Sequence, residues 1–371
     1  MAVGIICEYN PFHNGHLYHL NKAKEMFPND EIVLVINSYF CQRGDVSFIN
    51  KWDRTELSLM YGVDLVVELP FVFASQSADL FAKGAIEILN YLKVDSIVFG
   101  SEIDEIEILK KIADADTDNI KSYLDLGLSY PKSIAKAIEE DTGITLDSPN
   151  DILGVAYIKQ INRLNSKIKP ICIKRTNDYH STDLKEICSA SAIRKAIREK
   201  KEINCFIPNG VKEKINPIFL ENYFNIIKYK ILTDDVSKYQ TVDEGIEYRL
   251  KKYILECEAL DDFILKVKTK RYSYNKIKRM LVHILCSFTK EEAKNLKTEY
   301  IRILGFNGKG QNYLKRIKKD VDIPLLTKYK DFKNLNIEIR STYAYISILS
   351  FDEQKQIVKR EYEKIVIKKG L

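Results

Sequence analysis

Three of the chain's five histidines fall within seven residues near the N-terminus, in the stretch EYNPFHNGHLYHL at residues 8–20. His13 and His16 are three residues apart, with Gly15 between them and an Asn-Pro pair before them. If a helix begins near Gly15, the free N–H groups of its first turn would attract a phosphate group. Two imidazoles on one face of that turn could donate hydrogen bonds to phosphoryl oxygens, and such transfer depends mainly on positioning and charge stabilisation. The stretch therefore indicates nucleotide chemistry, with His13 and His16 as candidate catalytic residues.

The same residues allow two other interpretations. His13, His16 and His19 could ligate a metal ion such as zinc, although no further ligand stands at a suitable spacing. They could also form a structural cluster, since polar turns often carry histidine without a chemical role. His19 alone is better explained as the next turn of the helix than as a catalytic residue. We expect no metal site here.

A second candidate stretch is CSASAIR, at residues 188–194. Ser189 and Ser191 can cap the start of a helix and donate hydrogen bonds to phosphate, and Arg194 can bind phosphate through its charge. An ordinary helix N-cap is the alternative explanation, because serine is a favoured capping residue.

The elements that must position these residues follow from short apolar runs separated by helical stretches. Five runs, at residues 3–7, 31–37, 64–70, 95–101 and 169–175, are predicted to be strands. Strands that alternate with helices indicate an α/β fold with a Rossmann-like, doubly wound parallel sheet. Ligands of such sheets bind beyond the carboxyl ends of the strands. The histidine-rich loop, FGSE after the fourth strand and KRTNDYH at the fifth are thus predicted to share one edge.

The pattern changes after about residue 189, where helical periodicity with long charged side chains becomes dominant. We therefore predict an α/β domain, which carries the stretches that indicate nucleotide chemistry, over residues 1–205. A mainly α-helical, basic region is predicted over residues 206–371.

The composition is that of a globular protein, with 45% hydrophobic and 30% charged residues. No segment approaches about 20 unbroken apolar residues, so no membrane span is predicted. The seven cysteines are scattered without a CxxC pair. This favours reduced thiols in a cytoplasmic protein over a disulfide framework or a zinc site.

Charge is divided unevenly along the chain. Residues 1–150 hold 12 basic and 24 acidic residues, whereas residues 151–371 hold 46 and 28, giving net charges of −12 and +18. This asymmetry suggests a polyanionic partner for the basic part, although lysine-rich surfaces are also common without one.

Two stretches concentrate the positive charge, KVKTKRYSYNKIKRM at 266–280 and GKGQNYLKRIKK at 308–319. Lysine and arginine can neutralise phosphates, and tyrosines can stack on unpaired bases. A solvated helix face is the alternative. The candidate RNA contacts are Lys268, Lys270, Arg271, Tyr272, Lys276, Lys278, Arg279, Lys315 and Arg316.

HNGH resembles the HxGH signature of the nucleotidyltransferase superfamily, and CSASAIR resembles its second signature, often ISSTxIR. Further stretches narrow the similarity, namely VGIICEYNPFHNGHLYHL, CQRGD, FGSE, SPNDILGVAYIK, IKRTNDYH and the run from Asn50 to Leu89. Together they resemble the tRNA(Met) cytidine acetate ligase family through most of the first 200 residues. One departure is that NSYFCQRGD lacks the glycine that the family often has before Gln-Arg-Gly.

The resemblance implies an enzyme that uses ATP to convert acetate to acetyl adenylate. It then transfers the acetyl group to N4 of the wobble cytidine of elongator tRNA(Met). The resemblance also implies that residues 1–205 are an ATP-binding catalytic domain of the nucleotidyltransferase type and that the region over residues 206–371 binds tRNA. ATP is the implied nucleotide substrate and Mg²⁺ is expected with it. Arg43 is a candidate for binding acetate or RNA. The implied ATP-binding residues are Ile6, Cys7, Glu8, Tyr9, Asn10, Pro11, Phe12, His13, Asn14, Gly15, His16, Leu17, Tyr18, His19, Gly100, Asn150, Arg175, Ser189, Ser191 and Arg194.

Two other functions remain open at this point. One is a nucleotidyltransferase that adenylylates a small phosphate ester, against which the long basic extension counts. The other is a non-catalytic RNA-binding protein, against which the intact HNGH and SASAIR stretches count.

Overall fold

The computed structural model describes residues 1–175, 188–328, 335–363 and 365–368. Residues 176–180 of the KRTNDYH stretch lie outside the described residues. No described helix has the length and apolar character needed to cross a membrane.

The five predicted strands are confirmed and form a parallel sheet in the order β5-β4-β1-β2-β3. Their bounds are Ala2–Ile6 (β1), Glu31–Asn37 (β2), Leu65–Leu69 (β3), Ser96–Ser101 (β4) and Lys169–Lys174 (β5). Strand β1 lies between β2 and β4, pairing Gly4 with Val33 on one side and with Ile97 on the other. The strand order therefore reverses at β1, which is where a doubly wound sheet opens a binding crevice.

The second half of the chain contributes strands to the same sheet. Ile301–Phe306 (β6) pairs antiparallel with β3, and Leu325–Leu326 (β7) and Val366–Ile367 (β8) pair with β6. The region predicted to be mainly helical is helical up to Leu285, and after an irregular stretch it returns at Ile301 to extend the sheet. The apolar run IRILGF is short, and its partner β3 lies more than 230 residues earlier, so local pattern did not identify it.

Helices cover both faces of the sheet in its first half. They are Asn14–Met26 (α1), Lys51–Met60 (α2), Phe71–Ala74 (α3), Ala78–Tyr91 (α4), Ile106–Ala113 (α5), Ile120–Asp125 (α6), Tyr130–Thr142 (α7), Pro149–Arg163 (α8) and Ala190–Arg198 (α9).

The helices of the second half of the chain form the basic region and complete the layer of helices that packs on the sheet. They are Phe224–Thr233 (α10), Ile246–Tyr253 (α11), Leu260–Val267 (α12), Tyr274–Leu285 (α13), Gly308–Ile317 (α14), Leu335–Ile346 (α15) and Phe351–Tyr362 (α16). Short 3₁₀ helices lie at Asn204–Phe206, Lys212–Lys214, Leu220–Tyr223 and Val236–Lys238.

Two apolar cores hold the layers together, one on each face of the sheet. Along β2, Val33 and Val35 belong to one core, whereas Ile32, Leu34 and Ile36 belong to the other. Alternate side chains of a strand point to opposite faces, so a strand buried on both faces must be apolar throughout. This is why the apolar runs predicted the strands correctly.

Candidate active site

A cavity of about 250 Å³ opens at the carboxyl ends of β1, β4 and β5. Its lining comes from the loop after β1, the start of α1, the loop after β2, α4, α8 and the start of α9. The lining residues are Ile6, Cys7, Glu8, Tyr9, Asn10, His13, Gly15, His16, Tyr18, His19, Cys41, Gln42, Arg43, Asp45, Phe81, Phe99, Gly100, Asn150, Leu153, Tyr157, Ile173, Lys174, Arg175, Cys188, Ser189, Ala190, Ser191 and Arg194. The histidine loop, FGSE and the end of β5 therefore do meet at one edge, as their places in the sequence predicted.

The loop after β1 is fixed by buried side chains. Asn10 Oδ1 accepts a hydrogen bond from the Phe48 N–H at 2.9 Å, and Asn10 Nδ2 donates to the Val46 carbonyl at 2.9 Å. Arg54 is fully buried, and its guanidinium donates to the carbonyl oxygens of Glu8 at 2.6 Å and Asn37 at 2.9 Å. These bonds join the ends of β1 and β2, so the sequence-distant Arg54 fixes the shape of the cavity.

His13 is the N-cap of α1, and its side chain caps the helix. Its Nδ1 atom accepts a hydrogen bond from the Gly15 N–H at 3.0 Å. A neutral imidazole that accepts at Nδ1 carries its proton on Nε2, so His13 presents a donor at its other ring nitrogen. The sequence predicted the helix start and its phosphate-attracting N–H groups, but not that His13 itself would be the cap.

Both candidate catalytic histidines are neutral. The rings of His13 and His16 lie 3.8 Å apart between centroids. Burial, assisted by the nearby guanidinium of Arg175, lowers the pKa of His13 to about 3. Burial and the adjacent His13 lower the pKa of His16 well below its ordinary value. Two neutral imidazoles so close together can act as hydrogen-bond donors to an anion without the repulsion that two charged rings would suffer.

His19 also lines the cavity, one turn after His16 on α1. Burial lowers its pKa to about 4, and its buried Nε2 atom has no hydrogen-bond partner within the described residues. A buried polar atom without a partner is costly unless a ligand satisfies it. His19 therefore has the position of a ligand-binding residue, which agrees with its place in the predicted ATP loop.

On the opposite wall, Gly100, Asn150 and Arg175 are brought together by a residue that the sequence did not single out. Glu102 Oε1 lies 3.1 Å from Arg175 Nε and accepts a hydrogen bond from Asn150 Nδ2 at 2.7 Å. A Cβ on Gly100 would lie 3.1 Å from Arg175 Cγ, so glycine lets the arginine side chain cross the end of β4. Glu102 belongs to the FGSE motif, whose position after a strand was its sequence signal.

The start of α9 brings Ser189, Ser191 and Arg194 to the cavity. The Ser189 side chain accepts from the Ala192 N–H at 3.2 Å as the N-cap. Arg194 donates to the Asn10 carbonyl at 2.8 Å and lies 3.3 Å from a carboxylate oxygen of Asp45. The predicted capping role of Ser189 is confirmed, and Arg194 ties the helix to the histidine loop.

Four predicted ATP-binding residues do not line the cavity. Phe12 is 1% exposed and packs against Tyr9 and Tyr61. The remaining three are Pro11, Asn14 and Leu17, of which Asn14 donates to the Cys205 carbonyl and Leu17 packs against the core. Several residues that were not predicted to bind ATP do line it, among them Cys41, Gln42, Asp45, Phe81 and Tyr157. Contiguous sequence motifs do not distinguish the residues of a loop that face a ligand from those that anchor it.

The first basic stretch reaches the rim of the cavity through α13. Lys278 forms an ion pair with Asp45, a residue of the cavity lining. Gly44, at φ +77°, lies against the backbone of Lys278 and Arg279, where a Cβ would clash. The loop after β2 is therefore packed directly on the basic helix, which the sequence could not show.

The expected stacking role of Tyr272 is corrected by its burial. Tyr272 is 3% exposed, and its hydroxyl donates to the Asp243 carbonyl at 2.6 Å, while Lys276 Nζ lies 3.8 Å from the centre of its ring. An aromatic ring packed in this way has no face available for an RNA base. Lys268, Lys270 and Arg271 precede α13 and are exposed.

The second basic stretch lies at the other end of the sheet. Arg316 on α14 forms two hydrogen bonds, of 2.9 and 2.8 Å, with the carboxylate of Glu31. Glu31 is the first residue of β2, so this pair is at the amino ends of the parallel strands. A seven-residue strand spans roughly 20 Å, which separates Lys315 and Arg316 from the cavity.

A family model described as HIGH Nucleotidyl Transferase matches residues 1–361. The doubly wound sheet and the paired histidines at its carboxyl edge thus define a nucleotidyl transferase. Among similar proteins, a tRNA(Met) cytidine acetate ligase of Caldicellulosiruptor saccharolyticus is 41% identical, over 98% of this chain and 97% of that protein. One of Clostridium acetobutylicum is 40% identical, over 98% and 99%. The chain belongs to the tRNA(Met) cytidine acetate ligase family.

Solved structures agree with this assignment. Thermotoga maritima TmcAL in its apo form superposes with a TM-score of 0.91, at 30% sequence identity and over the whole of both chains. A second structure of Thermotoga maritima TmcAL, bound with alpha-thio ATP, superposes with a TM-score of 0.88 at the same identity. The fold is therefore shared from end to end, including the strands that return to the sheet after residue 300.

Proposed function

We propose that this protein joins acetate to ATP, forming acetyl adenylate and pyrophosphate, and transfers the acetyl group to N4 of the wobble cytidine of elongator tRNA(Met). The product is N4-acetylcytidine. The observation that carries the proposal is the neutral His13–His16 pair at the start of α1, inside the cavity at the strand ends. The names of the relatives and the nucleotide analogue bound to one of them support the choice of substrates.

In this proposal the ATP phosphates lie at the start of α1. The helix N–H groups and the Nε2–H of His13 would bind the triphosphate, and His16 would stabilise charge as the α-phosphate is attacked. The adenosine would lie against the backbone at Gly100, close to Asn150 and Arg175, which Glu102 holds in place. Mg²⁺ is proposed as the counter-ion of the triphosphate, because hard cations bind phosphate oxygens.

The tRNA would approach over α13. Arg279 on this helix has no carboxylate within ion-pair distance among the described residues, and its buried Nε atom has no hydrogen-bond partner there. Burial and the nearby Arg43 lower the pKa of Arg279 to about 10. An arginine in this state would gain from contact with a phosphate anion.

A small polar cavity connects this helix with the nucleotide cavity. It has a volume of about 110 Å³ and shares Asp45 and Arg194 with the larger cavity. Lys278 and Tyr274 of α13 also line it. We place the incoming nucleoside on this side.

All seven cysteines are free, which supports our proposal of a cytoplasmic enzyme.

The proposal is tested by incubating the protein with ATP, acetate and unmodified elongator tRNA(Met). We expect pyrophosphate release and N4-acetylcytidine, measured by mass spectrometry of the digested tRNA, and neither without acetate. Active, folded protein that releases pyrophosphate only with a small phosphate ester would contradict the proposal and favour adenylylation of that ester. Binding of tRNA with no ATP consumption would indicate a non-catalytic RNA-binding protein.

A further inference from the structure

Two carboxylates line the nucleotide cavity, Glu8 and Asp45, and their surroundings differ. Asp45 lies between Lys278, with which it forms an ion pair, and Arg194 at 3.3 Å. Burial alone would oppose ionisation of Asp45, but these two cations outweigh it and lower its pKa. Asp45 is therefore a fixed anion that connects α9, α13 and the loop after β2.

Glu8 is held in the cavity without an ion pair. Its Oε1 atom accepts a hydrogen bond from the Gln42 N–H at 2.6 Å, and no lysine or arginine of the described residues lies within ion-pair distance of its carboxylate. Burial is the largest influence and raises the pKa of Glu8 above its ordinary value. The Gln42 hydrogen bond opposes this shift.

Charged and titratable groups surround Glu8 from each neighbouring element. Arg43 and Asp45 come from the loop after β2, Arg194 from α9 and Arg54 from α2. Cys7, Cys41 and Tyr157 also face it, and burial raises the pKa of each of the three, to about 12 for the two thiols, so all remain uncharged. The cations favour the carboxylate and Asp45 opposes it. When two carboxylates in one site have pKa values moved in opposite directions, they are suited to different roles.

We propose that Glu8 is the general base of the acetyl-transfer step. This inference rests on the proposed function. The N4 amine attacks the acetyl carbon, and a C–N bond forms as the bond to the AMP oxygen breaks. AMP leaves with that electron pair. The proton of N4 passes to the Glu8 carboxylate and then to water, so that the carboxylate is regenerated.

The other groups of the cavity are poorly suited to this role. The lowered pKa values of His13 and His19, about 3 and about 4, make their imidazoles weak bases. Asp45 is neutralised by two cations. A base is most effective when its pKa approaches the pH of the reaction, which favours a carboxylate whose pKa is raised.

The position of Glu8 agrees with the geometry that the transfer needs. Its carboxylate accepts a hydrogen bond from the N–H of Gln42. Gln42 belongs to the loop after β2, which packs on the basic helix α13 at Gly44. His13, five residues after Glu8 in the loop that follows β1, begins the proposed phosphate site. Glu8 therefore stands between the side from which RNA would arrive and the side that would hold the adenylate.

The test replaces Glu8 with glutamine, which keeps an oxygen able to accept from the Gln42 N–H. Adenylate formation is followed by acetate-dependent ATP–pyrophosphate exchange, and transfer by single-turnover acetylation of tRNA. We expect E8Q to lower exchange far less than transfer, which should fall by about 10²–10⁴-fold, the usual range for a general base. The control is Glu107→Gln, an exposed carboxylate on α5 paired with Lys110, which should alter neither step.

The pH profile gives a second, independent measurement. Transfer by the wild type should rise with pH through one ionisation above the ordinary carboxyl value of 4.5, and E8Q should lose this dependence. Glu8→Asp, which keeps a carboxylate, should transfer faster than E8Q and retain the pH dependence. Glu8→Asp also tests the assignment if E8Q does not fold.

Three results would overturn the assignment of Glu8. These are an equal loss of exchange and transfer in folded E8Q, unchanged transfer in E8Q, and wild-type transfer that does not vary with pH. If the wild-type protein shows no acetate-dependent exchange at all, the proposed function itself falls, and the two failures are thereby distinguished.

Discussion

The two basic stretches look alike in sequence and differ in the structure. The stretch at 266–280 reaches the rim of the cavity, where Lys278 pairs with Asp45 and Arg279 has no carboxylate partner among the described residues. The stretch at 308–319 lies at the amino ends of the strands, where Arg316 forms two hydrogen bonds with Glu31. Positive charge in a sequence therefore does not measure the charge available to a partner, because the fold decides which charges are already neutralised.

The two edges of the sheet also differ in the groups that they offer to a ligand. The carboxyl edge of the sheet holds neutral histidines and a glutamate that are buried or half-buried, whereas the amino edge holds a partly exposed ion pair. Buried groups interact with a ligand in a medium where charge is poorly screened, whereas exposed ion pairs contribute little to stability. Substitutions at the two edges should therefore differ in kind as well as in size.

The largest effect is expected at His16. Replacing it with alanine should lower turnover by about 10²–10³-fold, equivalent to roughly 3–4 kcal/mol, because a donor to the reacting phosphate is lost. The dissociation constant for tRNA should stay within about two-fold, since His16 lies inside the nucleotide cavity. The measurements are acetate-dependent pyrophosphate release and filter binding of tRNA. Equal losses in both would identify His16 as a structural residue.

Much of the fold was predictable because it depends on local pattern. Strands β1 to β4 are largely buried on both faces, so each contains a short apolar run, as EIVLVIN does in β2. The edge strand β5 is only partly buried but keeps the short apolar run ICI. The histidine loop was recognisable because a helix N-terminus needs few residues to define it. Strand β6 was not, since its pairing with β3 joins distant segments.

The candidate site was predictable only as a set of motifs. The histidine loop and FGSE were placed correctly at the strand ends, and SASAIR was recognised as the start of a helix, but their mutual contacts depend on residues outside them. Glu102 connects Asn150 to Arg175, and Arg54 joins the ends of two strands from within the core. Burial of Tyr272 and pairing of Arg316 with Glu31 likewise arise from tertiary contacts that no local pattern records.

The second effect concerns RNA binding and compares the two stretches directly. Reversal of two exposed charges, Lys270→Glu with Arg271→Glu, should weaken tRNA binding by about 10–50-fold and reduce the salt slope by about two, because two phosphate contacts are lost. The matched reversal at the other edge, Lys315→Glu with Lys319→Glu, should have a much smaller effect. Binding isotherms at several salt concentrations measure both. Equal effects of the two double variants would show that tRNA contacts both edges.

The third effect is the pH dependence of stability at the cavity edge. The pKa of His19 is about 4 in the folded protein against 6.5 for the free side chain, so the unfolded chain binds protons more readily below pH 6.5. The free energy of unfolding should therefore fall as the pH decreases from about 6.5 towards 4, by about 1.4 kcal/mol per unit for each such histidine. In His19→Gln this loss should be smaller by about that amount between pH 6 and pH 5, measured by urea unfolding. An unchanged slope would mean that His19 titrates normally.

The smallest effect is expected at the amino edge, in Arg316→Gln. The pKa of Glu31 is lowered, since its pairing with Arg316 outweighs the cost of burial. This contribution to stability is present above pH 4.5 and is lost as the pH falls through the lowered pKa. Because the Arg316 side chain is 53% exposed, solvent screening should limit the loss to about 0.2–1 kcal/mol at pH 7, and the difference from wild type should be smaller at pH 3. Urea unfolding at the two pH values measures it. A larger loss, or any loss of acetylation, would mean that the two edges of the sheet are coupled rather than independent.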